Sequence, residues 1–400
     1  MRKSARKILF YFFAAAFLVS APLVVLSTAG FRISLNNQRI QQTGALAVST
    51  TPRGATVNVD GKVVSGKTPT VVQRISPNDV TVKLEKKGYL PLEETVHVNA
   101  GETTYLTALL YADVSPEVLL NLPSLLSFAK STDGRYIGSL SEDSGKREIS
   151  LYDVAARYDR TFAVGAAGDK SAYTLSWLPK ENTLILSRSG IPVNAYSASG
   201  EELKGTFFTN AVASMGGNIT FKNNGSNIEA HAGTNGSDKL IALLPLGTYT
   251  TLETDDDYVL IKDSRETLYL LSLTSSLVAS MSGKGALYDW LPSEHTLIWS
   301  DGLEVNMYNA DKKEKTFVTR QSLPITSLVW HPSGQAIITA SAKQITAIDI
   351  QNTGTARETT LTALDQGSIT NVWLDDSGKE LYYLNMNGAD GELERRRLVK

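Results

Sequence analysis

The apolar and polar positions divide the chain into three stretches of different rhythm. The opening MRKSARK carries Arg2, Lys3, Arg6 and Lys7, and no charged residue follows until Arg32. The uncharged run at residues 8–31 predicts one helix. At 1.5 Å per residue it reaches roughly 36 Å, enough for a hydrocarbon core of about 30 Å, with Pro22 as a kink. Residues 32–44 are polar around isolated Ile33, Leu35 and Ile40 and predict a short stalk. From Ala45 the period changes to two. Strands are predicted at 46–49, 56–59, 62–64, 70–74, 80–86, 93–99 and 103–111, with turns at Asp60-Gly61 and Ala100-Gly101. Short alternating strands over 45–112 make a small β-sandwich.

Beyond Asp113 a cadence recurs. Trp177-Leu178-Pro179, Trp290-Leu291-Pro292, Trp330-His331-Pro332 and Trp373-Leu374-Asp375 each precede a polar turn and then an apolar strand, at 183–186, 296–299, 336–339 and 380–384. A fifth copy runs from Phe128 to Leu140 around Asp133-Gly134 and continues through 147–154. Two degenerate copies are predicted near 221–244 and 249–280. A period of about 41 residues over 113–400 fits a seven-bladed β-propeller, with six or eight blades as the alternatives. Each blade exposes one sheet face until its neighbours cover it, so Trp177, Trp290, Trp330 and Trp373 are expected at equivalent core positions. The fold class is therefore mainly β: an N-terminal helix, a small sandwich and a propeller.

The basic tip at residues 1–7, against only Arg32 and Arg39 after the run, predicts a single-pass anchor at residues 8–31. The N-terminus then lies in the cytoplasm and the bulk of the chain outside the membrane, with the bilayer as one partner. Ser27-Thr28-Ala29 before Gly30 offers the alternative, a secretory signal cleaved near Ala29. Both readings export the chain.

The residues of the small module carry a resemblance. Pro52-Arg53-Gly54-Ala55, Val57, Val59, Asp60-Gly61, Gly66, Thr68-Pro69 and Lys87-Gly88-Tyr89 resemble the PEGA domain, a β module of bacterial and archaeal envelope proteins, with Arg53 where the family has Glu. The resemblance implies a scaffold module in a cell envelope. Physically, Gly54 can take positive φ after Pro52, and Pro69 removes a ladder donor. The later repeat resembles WD-type and Tol-type propellers loosely, without a regular Trp-Asp ending.

Composition narrows the chemistry further. A net charge of −2 names no nucleic-acid partner, and the absence of cysteine excludes disulfides, thiolate metal sites and thiol nucleophiles. His97, His231, His295 and His331 stand far apart in sequence, and His295 and His331 are expected in blade turns. No G-x-S-x-G elbow occurs. Asp255-Asp256-Asp257, Asp375-Asp376 and residues 387–391 read as solvated turns, with a cation site as the alternative, and no calcium loop is spelled. Asn223-Asn224-Gly225 and Asn235-Gly236 read as tight turns. Arg395-Arg396-Arg397 reads as the charged face of a terminal strand.

No catalytic residue, cofactor or metal is assigned. The expected function is a non-enzymatic envelope scaffold whose propeller presents a binding head to a protein or glycan. Alternatives are an envelope hydrolase or sensor using the channel mouth, marked by titratable groups with shifted pKa values there, and a purely architectural surface-layer or wall component.

Overall fold

The computed structural model describes residues 3–28, 31–34, 39–143, 145–166, 171–178, 182–205, 208, 219–233, 238–275, 278–281, 287–350 and 356–400. Asn235-Gly236 lies outside them. The chain is mainly β and forms two compact units. The first is Met1–Val114 with Asp349–Arg357 and Val399–Lys400, and the second is Ser115–Ile348 with Glu358–Leu398.

Helix α1 (Lys3–Thr28, 26 residues) continues through Pro22. Its Phe10, Phe12, Phe17, Leu18 and Val24 are exposed. Among the described residues no helix is long and apolar enough to cross a membrane. For α1 this bears on the described side chains, residues 9–22 and 24–25. Within the segment expected as a stalk, residues 32–44, β1 (Phe31–Ser34) and β2 (Arg39–Gln42) pair antiparallel, with Ile33 opposite Ile40 in the register.

The module holds β3 (Gly44–Thr51), β4 (Thr56–Val59), β5 (Lys62–Lys67), β6 (Thr70–Ile75), β7 (Asp79–Glu85), β8 (Leu92–His97) and β9 (Thr103–Leu109). They form two sheets, ordered β6-β3-β9 and β5-β4-β7-β8, with β3 and β9 parallel. The period-two pattern sets which residues face inward. Leu46 and Val48 from β3, Val57 from β4, Val80, Val82 and Leu84 from β7, and Leu106 from β9 make one buried core.

Thr68 explains why the loop around Pro52 and Pro69 is fixed. Its buried hydroxyl accepts the N–H groups of Gly54 (3.1 Å) and Ala55 (2.9 Å) and bonds the Thr50 hydroxyl at 2.5 Å, while Thr50 donates to the Pro52 carbonyl. Both Thr51-Pro52 and Thr68-Pro69 are cis, Gly54 has φ +92°, and Gly88 has φ +79° beside the buried Tyr89.

At the tip between β4 and β5, Asp60 and Gly61 both have positive φ, +48° and +79°, as a two-residue hairpin turn demands. A Cβ on Gly61 would meet nothing within 4 Å, so substitution there acts through backbone strain alone. Gly61→Val is therefore expected to destabilise this unit by about 1 to 2 kcal/mol, measured by chemical denaturation, and Gly61→Asn by much less.

The second unit begins with β10 (Glu117–Leu122) and continues as consecutive antiparallel sheets. Blade 1 is β11 (Leu125–Lys130), β12 (Tyr136–Asp143), β13 (Lys146–Asp153) and β14 (Tyr158–Ala166). Blade 2 is β15 (Tyr173–Trp177), β16 (Thr183–Arg188), β17 (Ile191–Ser197) and β18 (Glu202–Leu203). Blade 3 has three strands among the described residues, β19 (Ile219–Asn223), β20 (Ile228–Ala232) and β21 (Lys239–Leu244). Blade 4 is β22 (Tyr249–Thr254), β23 (Tyr258–Asp263), β24 (Leu268–Ser272) and β25 (Val278–Ser280). Blade 5 is β26 (Leu287–Leu291), β27 (Thr296–Ser300), β28 (Glu304–Asn309) and β29 (Glu314–Arg320). Blade 6 is β30 (Ser327–Trp330), β31 (Ala336–Ala340), β32 (Gln344–Asp349) and β33 (Arg357–Ala363).

Blade 7 closes the ring. Its own β34 (Ser368–Leu374), β35 (Glu380–Asn387) and β36 (Asp390–Arg397) take β10 as the fourth strand, Glu117 opposite Arg395 and Leu122 opposite Gly391. The first strand of the unit thus completes its last sheet, so the expected repeat gains a clasp. Arg395 and Arg396 are buried, which corrects their expected place on a charged face. Arg395 reaches Glu117 at 2.5 Å and Glu380 at 3.2 Å. The neighbouring Glu394 accepts from the Tyr383 hydroxyl (2.6 Å) and the Asn385 amide (3.0 Å).

Candidate functional site at the inner strands

The first strand of each blade is its innermost, because β10 takes the outer edge of blade 7 and leaves β34 at the other. The tryptophan cadence lies on these strands, and its register decides which way each ring points. Trp177 is opposite Leu184, Trp290 opposite Leu297 and Trp330 opposite Ile337. Trp373 is opposite Tyr382, and it is Leu374 that faces Leu381. The expected equivalence of the four therefore holds for three. A register shift between Thr370 and Trp373 turns the fourth toward blade 1, where it meets Phe128 at 5.8 Å between centroids.

All four rings are buried. Trp177 donates to the Ala129 carbonyl (3.1 Å) and Trp290 to the Asp255 carboxylate (2.7 Å), each across a blade boundary. Asp255 also accepts the N–H groups of Asp257 and Tyr258, which bonds the turn from within, while Asp256 is exposed. Asp375 likewise accepts from Glu380 N at 2.8 Å, and Asn223 from Gly225 N at 2.8 Å. In the turn between β35 and β36, Asp390 accepts from Ser124 N at 2.9 Å.

His331 is buried and turn-bonded. Its Nε2 donates to the Gly378 carbonyl (3.0 Å), which leaves Nδ1 to accept from the Ser333 hydroxyl (2.7 Å), and burial lowers its pKa. His295 stacks on Trp290 beside Asp311 (3.0 Å), His97 bonds Asp79 (2.7 Å), and His231 bonds Glu229 (3.1 Å). Among the described residues no group of three His, Cys, Asp or Glu could hold a metal ion.

What sequence reasoning missed stands on the inner strands themselves: Lys130 at the end of β11, Glu253 in β22, and Asp289 with Tyr288 in β26. They come from blades 1, 4 and 5, yet their charges act on one another. A residue of blade 1 reaches blades 4 and 5 only across the axis of a closed ring. Asp289 accepts the N–H of Trp330 (2.6 Å) and of Trp290 (3.1 Å), tying blade 5 to blade 6. Even so, burial pushes its carboxyl up to about 6.

Glu253 is reachable by water but hemmed in by protein on most sides, as a group in a narrow channel is. Burial first, and then the nearby Asp289 charge, push it up to about 7, with Lys130 opposing. The same surroundings raise Tyr288 to about 12. A carboxyl with a raised folded pKa favours folding fully below its ordinary value of 4.5, and that contribution fades as pH rises through about 7. Glu253→Gln should therefore match the wild-type melting temperature near pH 4 and exceed it at pH 8, in thermal melts across that range.

Comparison with known proteins bears on each unit by itself. The family model described as the PEGA domain matches residues 43–112. The PEGA match takes in β3 to β9 and the Thr68 hub. No curated protein matches. Similar solved structures include a chain of a mitotic checkpoint complex, 12% identical, covering 72% of this chain and 90% of that one at a TM-score of 0.45. Others are the C-terminal WD40 domain of Sif2 (12%, 70% and 98%, 0.42) and the Cps50 (Swd1) β-propeller domain of Myceliophteria thermophila (11%, 70% and 99%, 0.41). The assignment of a propeller rests on this chain's own seven sheets.

Proposed function

We propose that the protein is a non-enzymatic scaffold of a prokaryotic cell envelope, held by its N-terminal segment, with the propeller as the head that binds an envelope protein or glycan. One observation carries the binding reading. Lys130 and Glu253 reach water at the inner strands and make no hydrogen bond or ion pair among the described residues, so both head groups are open to a partner. The anchor reading is supported by the uncharged run at residues 8–31 behind four basic residues and by α1 over most of that run.

The test is made on the full chain in its native membrane. The protein should stay with membranes after carbonate washing, and a mature N-terminus at Gly30 would remove the anchor from the reading. Lys130→Gln and Glu253→Gln should each weaken association with envelope components while leaving the melting temperature at pH 5 unchanged. Association unaffected by both would remove the channel.

A second reading has its own observation. Glu253 and Asp289 are two carboxyls that act on one another and whose pKa values burial raises, to about 7 and about 6, the kind of pair from which glycoside hydrolysis draws its acid and base. Glycan turnover abolished by Glu253→Gln would replace the scaffold reading with this one.

A further inference from the structure

The two outer faces of the small module differ in character. On the sheet β6-β3-β9, two rows run straight across the ladder: Gln73, Ala45 and Thr103 in one, and Val71, Ala47 and Tyr105 in the next. None of the six is charged, and Val71 and Tyr105 are 54% and 71% exposed. The two outer strands stand roughly 10 Å apart, so both side chains project from one face. The outer face of the sheet β5-β4-β7-β8 is charged instead. Lys83 stands opposite Glu93 and bonds Glu85 at 2.6 Å, and Asp79 stands opposite His97, 2.7 Å from its Nδ1.

Chain length decides which neighbour the neutral face can meet. The hairpin of β1 and β2 sets Phe31 opposite Gln42, so the chain that leaves α1 returns beside its starting point before the module begins. Thr28 to Phe31 and Gln42 to Gly44 are both short steps, which puts the start of β3 within about 23 Å of the end of α1. The Thr43 carbonyl accepts from Gly101 N at 3.2 Å, so the hairpin is joined to the module and the reach stays short. Ala47 lies about 10 Å further along β3.

We propose that the face of Val71, Ala47 and Tyr105 lies on the outer surface of the bilayer, with Val71 and the Tyr105 ring at the boundary between head groups and acyl chains. This rests on the reading of residues 8–31 as an anchor. A bilayer at the end of so short a tether is present at a high effective concentration, whereas a soluble partner has to be captured from solution. The boundary favours an amphipathic ring whose hydroxyl stays among the head groups. An uncharged face enters it without the desolvation penalty that Lys83 or Glu85 would incur, so the charged face stays in water. The contact is apolar, and salt does not weaken it.

The chain holds no cysteine, so single dye-bearing cysteines read the contact without background. The full-length protein is placed in phosphatidylcholine vesicles that carry a nitroxide either on the head group or along the acyl chain. The dye sits at Tyr105→Cys, at Val71→Cys, at Thr95→Cys on the charged face, or at Val19→Cys in α1. Head-group nitroxide should quench the dye at 105 and 71 at least twofold more than at 95, in low and high salt alike. Adding Tyr105→Glu should lower the quenching at 71 and leave that at 19 unchanged. The dye at 19 reports the anchor separately, through the acyl-chain nitroxide. Quenching at 19 with none at 105 and 71 would overturn the bilayer contact and leave the anchor standing, and a second copy or another protein covering the face would give that same result. No quenching at 19 would remove the anchor, and with it the tether and this contact.

Discussion

Trp373→Ala is expected to destabilise the propeller by about 3 to 5 kcal/mol, the largest loss among the four tryptophans of the repeat. The ring is 2% exposed and packs between Tyr382 of its own blade, stacked at 5.4 Å, and Phe128 of blade 1. It belongs to the cluster of Leu122, Ile137, Tyr152, Tyr382, Leu384 and Leu393, which joins the strand that begins the ring to the blades on either side of the closure. Gly134 makes room for it: a Cβ there would come within 3.1 Å of the indole. Removing the ring therefore opens a cavity at the one boundary where the chain must return to its own start. Trp177→Ala and Trp290→Ala also lose a hydrogen bond across a blade boundary, but their rings are less fully buried, 9% and 7% exposed. Urea denaturation of the four variants orders them. An exposed, functional Trp373 would instead leave the midpoint unchanged.

The sequence made the local parts of this fold readable and left the closure obscure, for a physical reason. Alternation along β7 and the Asp60-Gly61 turn are set by residues adjacent in the chain, and so are the turns after the first strands of blades 5 and 6. The closure pairs Glu117 with Arg395, and no periodicity within 117–122 names a partner so far along the chain. Trp373 was misplaced for a related reason: the cadence matches by residue type, whereas the register shift in β34 turns the ring by one position, and only ladder geometry reveals it.

Lys130, Glu253 and Asp289 were passed over because each is an ordinary strand residue in its own blade. They become a cluster only when the ring brings the inner strands of blades 1, 4 and 5 around one axis. Their raised carboxyl pKa values are likewise a product of that enclosure, invisible in a stretch such as TLETDDD. A degenerate unit was expected near 221–244, and its three described strands become plain only once the ladder pairing is seen.

Arg395→Ala should cost about 3 kcal/mol, toward the lower end for a buried ion pair because Glu117 is half exposed, and should free β10 before the rest of the ring melts. The guanidinium is 7% exposed and bonds Glu117 on β10 and Glu380 on β35, so one side chain holds the first, last and middle strands of blade 7 together. Arg395→Met keeps the aliphatic volume and removes the charge, so it should lose about 1 to 2 kcal/mol and keep the ring closed by packing alone. The same clasp has a pH signature of opposite sign to that of Glu253. The Arg395 guanidinium holds the Glu117 carboxyl below its ordinary value of 4.5. A depressed folded pKa contributes stability that is present above 4.5 and lost as pH falls through the folded value, because the protonated carboxyl no longer pairs. Protection of the amides at 117–122, taken relative to their intrinsic exchange rates, should therefore fall in the wild type as pH drops below the ordinary carboxylate range. In Arg395→Met that protection should be lower than in the wild type already at pH 7, though not lost, and should change little on acidification. If exchange in the two proteins is the same at pH 7, Arg395 is not what holds the closing strand, and the apolar contacts of Leu122 and Leu393 carry the closure by themselves.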